Sequence, residues 1–597
     1  MCVLLDIAEM HVTQTDNFYL RSTAVLLALV AGAVHAQSTP DAGSLLNQQQ
    51  HQQQSTLPRR LGSEDLVRAP GPALQAPGGV QVEIRELRFG GATELLPADW
   101  LKALAEQVHG HRYDFAGLQE LAQRITEELR ARGWMLARAY LPQQDLGTGE
   151  LEIVLLAGRI DVPETGAPVQ LVPGERGLRL NPEVLERMAE QGLRERTALR
   201  EDELERVLLL INDLPGLSAR ARLEPGQAVD STRIHVDVDE GPRLTGALWA
   251  DNYGSRVTGT AQANGQFMLN DLLGLGEQLS TQFTRAQGSW LLRTNLRQPL
   301  GSSGLRANVG ASRMQYEILS GVGAAAGMEG YSQTLNAGLS YPLVRSRLLN
   351  VYASLDASRK QLADDSKFGN LRDKRISSLA GTLSGDRFDN AWGGGLNAWN
   401  LTATVGHADL GRNASDALAD QKGYRTAGGY EKLNFGASRM QRLAGNFSLL
   451  ASFNGQWASK NLDSSEKMIL GGPNAIRAYS GSEAQGDSGW YGSLELRYDW
   501  PGGSPLGALQ LQGYLDAGQV RLHQDTQGLP IATATGRNSY GLAGAGLGVS
   551  LTKPGSYMLR AGVAQAIGSN PGRSVQGFNA DGGTGRMRGW VQALWWF

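Results

Sequence analysis

From about Pro242 to the terminal Phe597, apolar and polar residues alternate with a period of two, in pieces of about ten residues separated by Gly, Asn, Asp and Ser. Successive side chains of a strand point to opposite faces, so each piece is a strand with one apolar and one polar side. In 349–358, Leu349, Val351, Ala353, Leu355 and Ala357 oppose Asn350, Tyr352, Ser354, Asp356 and Ser358. In 447–457, Phe447, Leu449, Ala451, Phe453 and Trp457 oppose Ser448, Ser452, Asn454 and Gln456. In 494–500, Leu494, Leu496, Tyr498 and Trp500 oppose Glu495, Arg497 and Asp499. In 509–517, Leu509, Leu511, Leu515 and Ala517 oppose Gln510, Gln512, Tyr514 and Asp516.

Two architectures alternate in this way. A soluble sandwich turns its apolar face inward; a transmembrane barrel turns it to lipid and keeps a polar face around a wet lumen. Three features favour the barrel. Its polar face carries full charges with many Gln, Asn and Ser, and the region is too long for one pair of sandwich sheets. Ten of the 12 Trp follow Pro242, several at strand ends, as in an interfacial girdle. The chain also stops on an alternating strand, Val-Gln-Ala-Leu-Trp-Trp-Phe, with Phe597 on the outward face. About 355 residues at about 22 per strand and loop predict roughly 16 antiparallel strands, with 14 or 18 as the near alternatives.

Ahead of the barrel, Arg21 precedes an apolar run at 23–33 and a small-x-small site, Val34-His35-Ala36. This is a secretory signal peptide over 1–36, with roughly twenty extra residues, including Asp6 and Glu9, that place the true start downstream of Met1. Cleavage there removes Cys2, the one cysteine, so an exported chain has no disulfide. Residues 37–54 are Gln-rich, and Asp41 could cap a helix through Gln54. Residues 55–79, rich in Pro and Gly, form a linker. From Val80 to Ile160 the order is β-α-α-β-β: strand residues Val80, Val82 and Ile84, helices at 100–108 and 115–132, then strands at 135–141 and 151–156. The pattern recurs over 161–241, with helices at 182–191 and 201–212 and strands at 217–223 and 232–239, giving two tandem α+β domains. The barrel occupies 242–597.

A net charge of −3 offers no basic surface for nucleic acid. Nor does the sequence show a catalytic or cofactor constellation. The eight His (11, 35, 51, 109, 111, 235, 407 and 523) are scattered, and His109 and His111 lack a Cys or acidic pair to complete a metal set. Gly544, Gly546 and Gly548 mimic a nucleotide loop but alternate in a strand with no helix after it, which suits close strand packing. One loop stands out. Residues 469–479, between two barrel strands, are Gly-rich and hold a single Arg477. That Arg is either a solvated loop charge or the partner of Asp516, which alternation places on the lumen face.

Several segments together resemble the two-partner secretion transporters of the outer membrane, the TpsB family, across nearly the whole mature chain. Tyr140-Leu141-Pro142-Gln143-Gln144-Asp145, followed by Gly149-Glu150-Leu151-Glu152-Ile153 and Gly158-Arg159-Ile160, is similar to the end of that family's first POTRA domain. Asp251-Asn252-Tyr253-Gly254 resembles the opening of its barrel. Ile476-Arg477-Ala478-Tyr479 resembles the tip of a loop folded into the pore, and Tyr514-Leu515-Asp516-Ala517-Gly518 its barrel-wall motif. The resemblance implies an N-terminal plug helix, two POTRA domains and a 16-stranded barrel, with Arg477 at the loop tip and Asp516, between Tyr514 and Gly518, as its wall partner. Ala478 departs from the family's glycine, and alanine adopts positive φ poorly. The partners implied are a secreted exoprotein with an N-terminal secretion domain, outer-membrane lipids, and the barrel assembly machinery reading Trp595 and Phe597. An insertase of the same superfamily and a diffusion porin are the alternatives. Neither an enzyme nor a cofactor is expected.

Overall fold

The structure, a computed structural model, describes residues 40–53, 81–144, 146–161, 169–175, 177–193, 199–227, 231–529 and 531–597. The signal segment, Val80, the 55–79 linker and Asp145 lie outside the described residues.

In the first α+β domain, helices Ala98–Val108 and Phe115–Ala131 pack on a sheet ordered Glu86–Gly91, Glu150–Leu156, Arg138–Tyr140. Asp114 starts the second helix by accepting the Gly117 N–H at 2.8 Å. Leu118, Leu121, Ile125 and Leu129, spaced three and four apart, then meet Leu151, Ile153 and Leu155 of the sheet. The strand expected around Val82 and Ile84 is reduced to Val82–Glu83, paired with Arg112–Tyr113. The main first strand is Glu86–Gly91, parallel to Glu150–Leu156. It escaped the sequence reading because only Leu87 and Phe89 alternate before Gly90-Gly91 ends the pattern.

The second domain repeats this plan with helices Pro182–Leu193 and Glu201–Asn212 and strands Leu217–Pro225 and Ser231–Glu240. A further strand, Val169–Pro173, runs parallel to the last. The two domains are joined by backbone: Gly133 O accepts from Glu201 N at 2.9 Å, and Leu199 O from Met135 N at 3.3 Å. The Arg200 guanidinium also lies 5.2 Å from the Trp134 ring centre. Asp213 of the second domain is paired with Arg345 at 2.9 Å and Arg306 at 3.4 Å, both on the near rim of the barrel.

The barrel is closed and antiparallel, with 16 strands. They are β1 Leu244–Asp251, β2 Gln262–Asn270, β3 Gln278–Ala286, β4 Ser289–Pro299, β5 Arg306–Glu317, β6 Glu329–Arg345, β7 Leu349–Ser366 and β8 Gly369–Asp389. There follow β9 Gly395–Asp409, β10 Gly428–Arg442, β11 Phe447–Ala458, β12 Ser488–Asp499, β13 Ala508–Arg521, β14 Ser539–Lys553, β15 Tyr557–Ile567 and β16 Met587–Trp596. Closure pairs every strand edge, the requirement for a sheet in hydrocarbon. The outward face carries exposed Leu335, Leu355, Leu494 and Leu515, while Asp356, Glu495 and Asp516 turn inward. The closing seam is short. β1 and β16 pair only from Ala247–Trp596 to Asp251–Gln592, whereas β7 and β8 pair from Leu349–Arg387 to Ser366–Gly369. The segment Asp251–Gly254, which resembles the family's barrel entry, follows on the end of the first strand, Leu244–Asp251.

Candidate functional site

The loop between β11 and β12 folds back into the lumen. Its two arms pair as a small hairpin, Met468–Ile469 with Gln485–Gly486, and Ile476 N–H reaches Leu470 O at 2.8 Å to tighten the turn. The tip carries Ile476, Arg477, Ala478 and Tyr479, of which Ile476, Ala478 and Tyr479 are buried.

Strand register builds the receptor for Arg477. Ser493 of β12 stands opposite Asp516 of β13, and Glu495 opposite Tyr514, all on the inward face. The Arg477 guanidinium donates to both oxygens of Asp516, at 2.9 and 2.7 Å, and its backbone N–H donates to the same carboxylate at 3.0 Å. It also reaches Ser493 Oγ at 2.8 Å and pairs with Glu495, itself bound by Arg497 at 2.7 Å. The Tyr514 ring centre is 3.3 Å from the guanidinium carbon, and Trp590 donates its indole N–H to Arg477 O at 2.7 Å. The fork of donors is thus saturated by a bidentate carboxylate, a second carboxylate and a π face.

Glycine makes room for the tip. A Cβ on Gly544 would lie 2.5 Å from Ala478 Cβ, and one on Gly546 2.6 Å from the Tyr514 ring. On Gly518 it would meet Trp490 O at 2.5 Å. Ala478 takes no positive φ, so its methyl strains nothing; the left-handed positions of the loop are Gly472 at 125° and Ala484 at 56°.

A helix, α1 (Ala42–Gln53), crosses the lumen beside this loop. Asp41 accepts the Ser44 N–H at 2.9 Å at its start, and Leu45 and Leu46 enter an apolar patch with Leu291, Met314, Tyr316 and Leu362. Its first N–H goes to Asp364 at 2.8 Å, and Asp41 faces Lys374 at 3.3 Å. At the other end, Gln52 donates to Tyr253 O at 2.6 Å, just past β1. The helix therefore reaches from the β7–β8 wall to the β1 wall. It is also tied to the loop: Asn47 donates to Lys467 O at 2.5 Å and Ser464 O at 3.2 Å, and Asn474 donates to Gln52 O at 3.1 Å. Gly43 and Gly481 permit this contact, since a Cβ on either would meet Ser464 Oγ or Gln48. Below α1 a cavity of about 500 Å³ remains, lined by Asn400, Ser438, Ser452, Asn454 and Tyr491 among others.

The charges holding the start of the loop were missed from sequence. Lys374 binds Asp463 at 2.8 Å, Lys360 and Lys432 both bind Glu466 at 2.6 Å, and Lys467 binds Asp487 at 2.5 Å. Their one local signal is an alternation that points a lysine inward, as at Lys360 between outward Arg359 and Gln361; the loop partners are far away in the chain.

The other sequence-selected residues lie apart. Tyr140 is exposed at the end of its strand, Leu141 packs on the first domain's core, and Pro142 and Gln143 form the turn. Gln144 accepts the Glu152 N–H at 2.7 Å and donates to Glu152 O at 2.8 Å, so its amide acts as one extra residue of sheet. Trp595 and Phe597 face outward at the seam, where the Phe597 backbone exchanges hydrogen bonds of 3.0 and 3.1 Å with Gly246. His109 and His111 are exposed, and no group of three or more metal-ligating side chains occurs among the described residues.

A closed 16-stranded barrel with a charged lumen, fed by two tandem α+β domains, defines an outer-membrane barrel of the POTRA-bearing class. Residues 230–551 match the family described as haemolysin secretion/activation protein ShlB/FhaC/HecB, and residues 82–158 match the POTRA domain, ShlB-type. The chain belongs to that family of secretion proteins. It is similar to the heme/hemopexin transporter protein HuxB of Haemophilus influenzae, 24% identical over 564 residues, 92% of this chain and 95% of that protein. It is also similar to the outer membrane transporter CdiB of Dickeya dadantii, 24% identical over 512 residues, 84% of this chain and 88% of that one. Among solved structures, CdiB from Escherichia coli superposes with a TM-score of 0.71 at 19% identity, covering 94% of this chain and 100% of that chain. CdiB from Acinetobacter baumannii gives 0.59 at 15%, covering 98% of both. The protein is an outer-membrane transporter that exports an exoprotein by two-partner secretion, with its POTRA domains in the periplasm.

Proposed function

We propose that the described arrangement is the closed state of this secretion pore, in which α1 and the Arg477 loop form one removable stopper. The observation that carries this reading is their mutual docking: Asn47 and Asn474 tie the helix to the loop from both sides, and the loop is tied to the wall through Arg477. An unfolded exoprotein, captured in the periplasm through its N-terminal secretion domain, would displace the stopper and pass as an extended chain. The free edges of the POTRA sheets, such as Leu217–Pro225, offer a place for a cargo segment to add as a strand. Barrel assembly machinery is the partner that would read Trp595 and Phe597, and outer-membrane lipids cover the outward face. Folding of the cargo outside would bias the direction of transport.

Planar-bilayer recordings test the stopper. Deleting residues 41–54 is expected to raise single-channel conductance; unchanged conductance removes the plug role. Deleting 80–160 is expected to leave an inserted barrel that secretes nothing, and normal secretion from that truncation removes the capture role.

A further inference from the structure

Three guanidinium groups stand together on the outer surface of the barrel, with the exposed Asp409 of β9 opposite Arg375 in register. Arg313 on β5 and Arg359 on β7 are exposed, and Arg375 on β8 is half-buried. Register puts them in one sector: Arg313 opposes Gln333, Gln333 opposes Gln361, and Gln361 opposes Arg375. Arg359 opposes Leu335 and Ser377, a diagonal step from Arg375. None of the three forms an ion pair among the described residues; Arg313 lies 5.6 Å from the Tyr331 ring centre.

The surroundings fix the level of this sector. Arg306, at the other end of β5, is bound to Asp213 of the second POTRA domain, so Arg313 lies toward the outside of the cell. On the periplasmic side the outward face is apolar, with exposed Val309, Leu335, Leu379 and Val405. Further out, Glu317, Glu329 and Asp365 oppose one another. The cations therefore sit where hydrocarbon gives way to headgroups in the outer leaflet. The opposite wall is different: the outward residues there include Trp457, Trp490, Ile567 and Val591, and Arg521 is turned to the carbonyls of His523 and Gln524.

We infer that the β5–β8 sector binds the phosphate groups of the outer-leaflet glycolipid. The inference rests on the outer-membrane placement of the barrel. A guanidinium is a fork for phosphate oxygens, and one at the edge of hydrocarbon that no carboxylate holds in an ion pair gains most from an anion delivered there. The apolar ledge directly beneath selects the source: acyl chains lie on Leu335 and Leu379 while the phosphates meet the arginines, which a free phosphate cannot do.

Purified full-length protein in detergent, loaded with lipid A and followed by native mass spectrometry, tests this. The R313Q/R359Q/R375Q variant is expected to hold lipid A about tenfold more weakly than the parent, and R359Q alone about two- to threefold more weakly. R387Q, an exposed arginine at the periplasmic end of β8, is expected to bind as the parent does, and heat-modifiable migration confirms each barrel. The same glycolipid stripped of phosphate should bind weakly and equally to all. Equal retention of lipid A by parent and triple variant overturns the proposal, as does retention of the stripped lipid by the parent as strong as that of lipid A, or displacement by inorganic phosphate at matching concentration. Secretion is not the readout, so failure here leaves the transport function standing.

Discussion

The core of the second POTRA domain and the filling of the barrel lumen are both buried, but only the lumen filling adds buried charges to its apolar contacts. In the domain, Leu185, Ile211, Ile234 and Val236 close an aliphatic core. In the lumen, Asp487, Glu483 and Asp516 are at most 2% exposed, and Lys374 and Glu466 are nearly as buried. Apolar burial is non-directional and is lost only by exposing the whole surface to water. A charged or amide contact is directional and costly to break on one side, yet a passing polar chain or water can replace it. The interior of the second domain is therefore held by hydrocarbon, whereas the proposed stopper combines an apolar footing, Leu45, Leu46 and Ile476, with buried charges and amides.

The largest effect is expected in the aliphatic region. Leu185→Ala leaves a cavity in a fully packed core and is expected to cost about 2–5 kcal/mol. Limited trypsin digestion of the full-length protein should then cleave the second POTRA domain while the barrel stays heat-modifiable, and secretion should fail. Equal protease resistance would erase the contrast between the regions.

A lumen effect of intermediate size comes from bulk rather than charge. Gly544→Val drives a side chain into Ala478 and is expected to lower secretion several-fold with normal barrel abundance. Gly381→Val, where a Cβ meets nothing within 4 Å, is the matched control and should be silent. If the two variants secrete alike, the fit of the tip against β14 has no functional weight.

Asp41→Asn should act more gently, because it removes the charge facing Lys374 and leaves the helix cap in place. Channel openings in planar bilayers are expected to become several-fold more frequent at unchanged open conductance. Closed traces like the parent's would place the hold on α1 elsewhere.

The smallest effect lies on the periplasmic surface. A hydrogen bond from Arg222 holds the Asp237 carboxyl below the usual carboxylate range. A depressed folded value stabilises above the unfolded carboxylate range and is lost as pH falls through the folded value. Both groups are solvated, so Arg222→Gln should leave the melting temperature at pH 7 unresolved from the parent and only blunt its decline in acid. A clear loss at pH 7 would give this surface pair more weight than exposed ion pairs usually carry.

Much of this architecture is legible in the sequence because lipid enforces period-two alternation and helices enforce their own spacing. The inward position of Asp516 follows from alternation with Gln512 and Tyr514, and the cap Asp41 is local. What is illegible is whatever depends on distant partners. Glu495 is recognisable as lumen-facing, but nothing in its neighbourhood names Arg477. The lysines that bind Asp463 and Glu466 lie on three separate strands, and the strand Glu86–Gly91 is held by parallel pairing with residues more than sixty positions away. The glycines of β14 read as strand packing; their service to the loop tip needs the loop's return into the pore.

The central claim, that a polar lock positions the stopper, is tested most directly by a double-mutant cycle on secreted exoprotein with Arg477→Ala, Asp516→Ala and the pair. Either single change strands a buried charge, an effect of about 3–5 kcal/mol on docking of the tip. Both singles are therefore expected to cut secretion to a similar degree at normal barrel abundance, with the double variant little worse than either. Independent, multiplicative losses would contradict the lock and assign Arg477 to direct contact with the cargo.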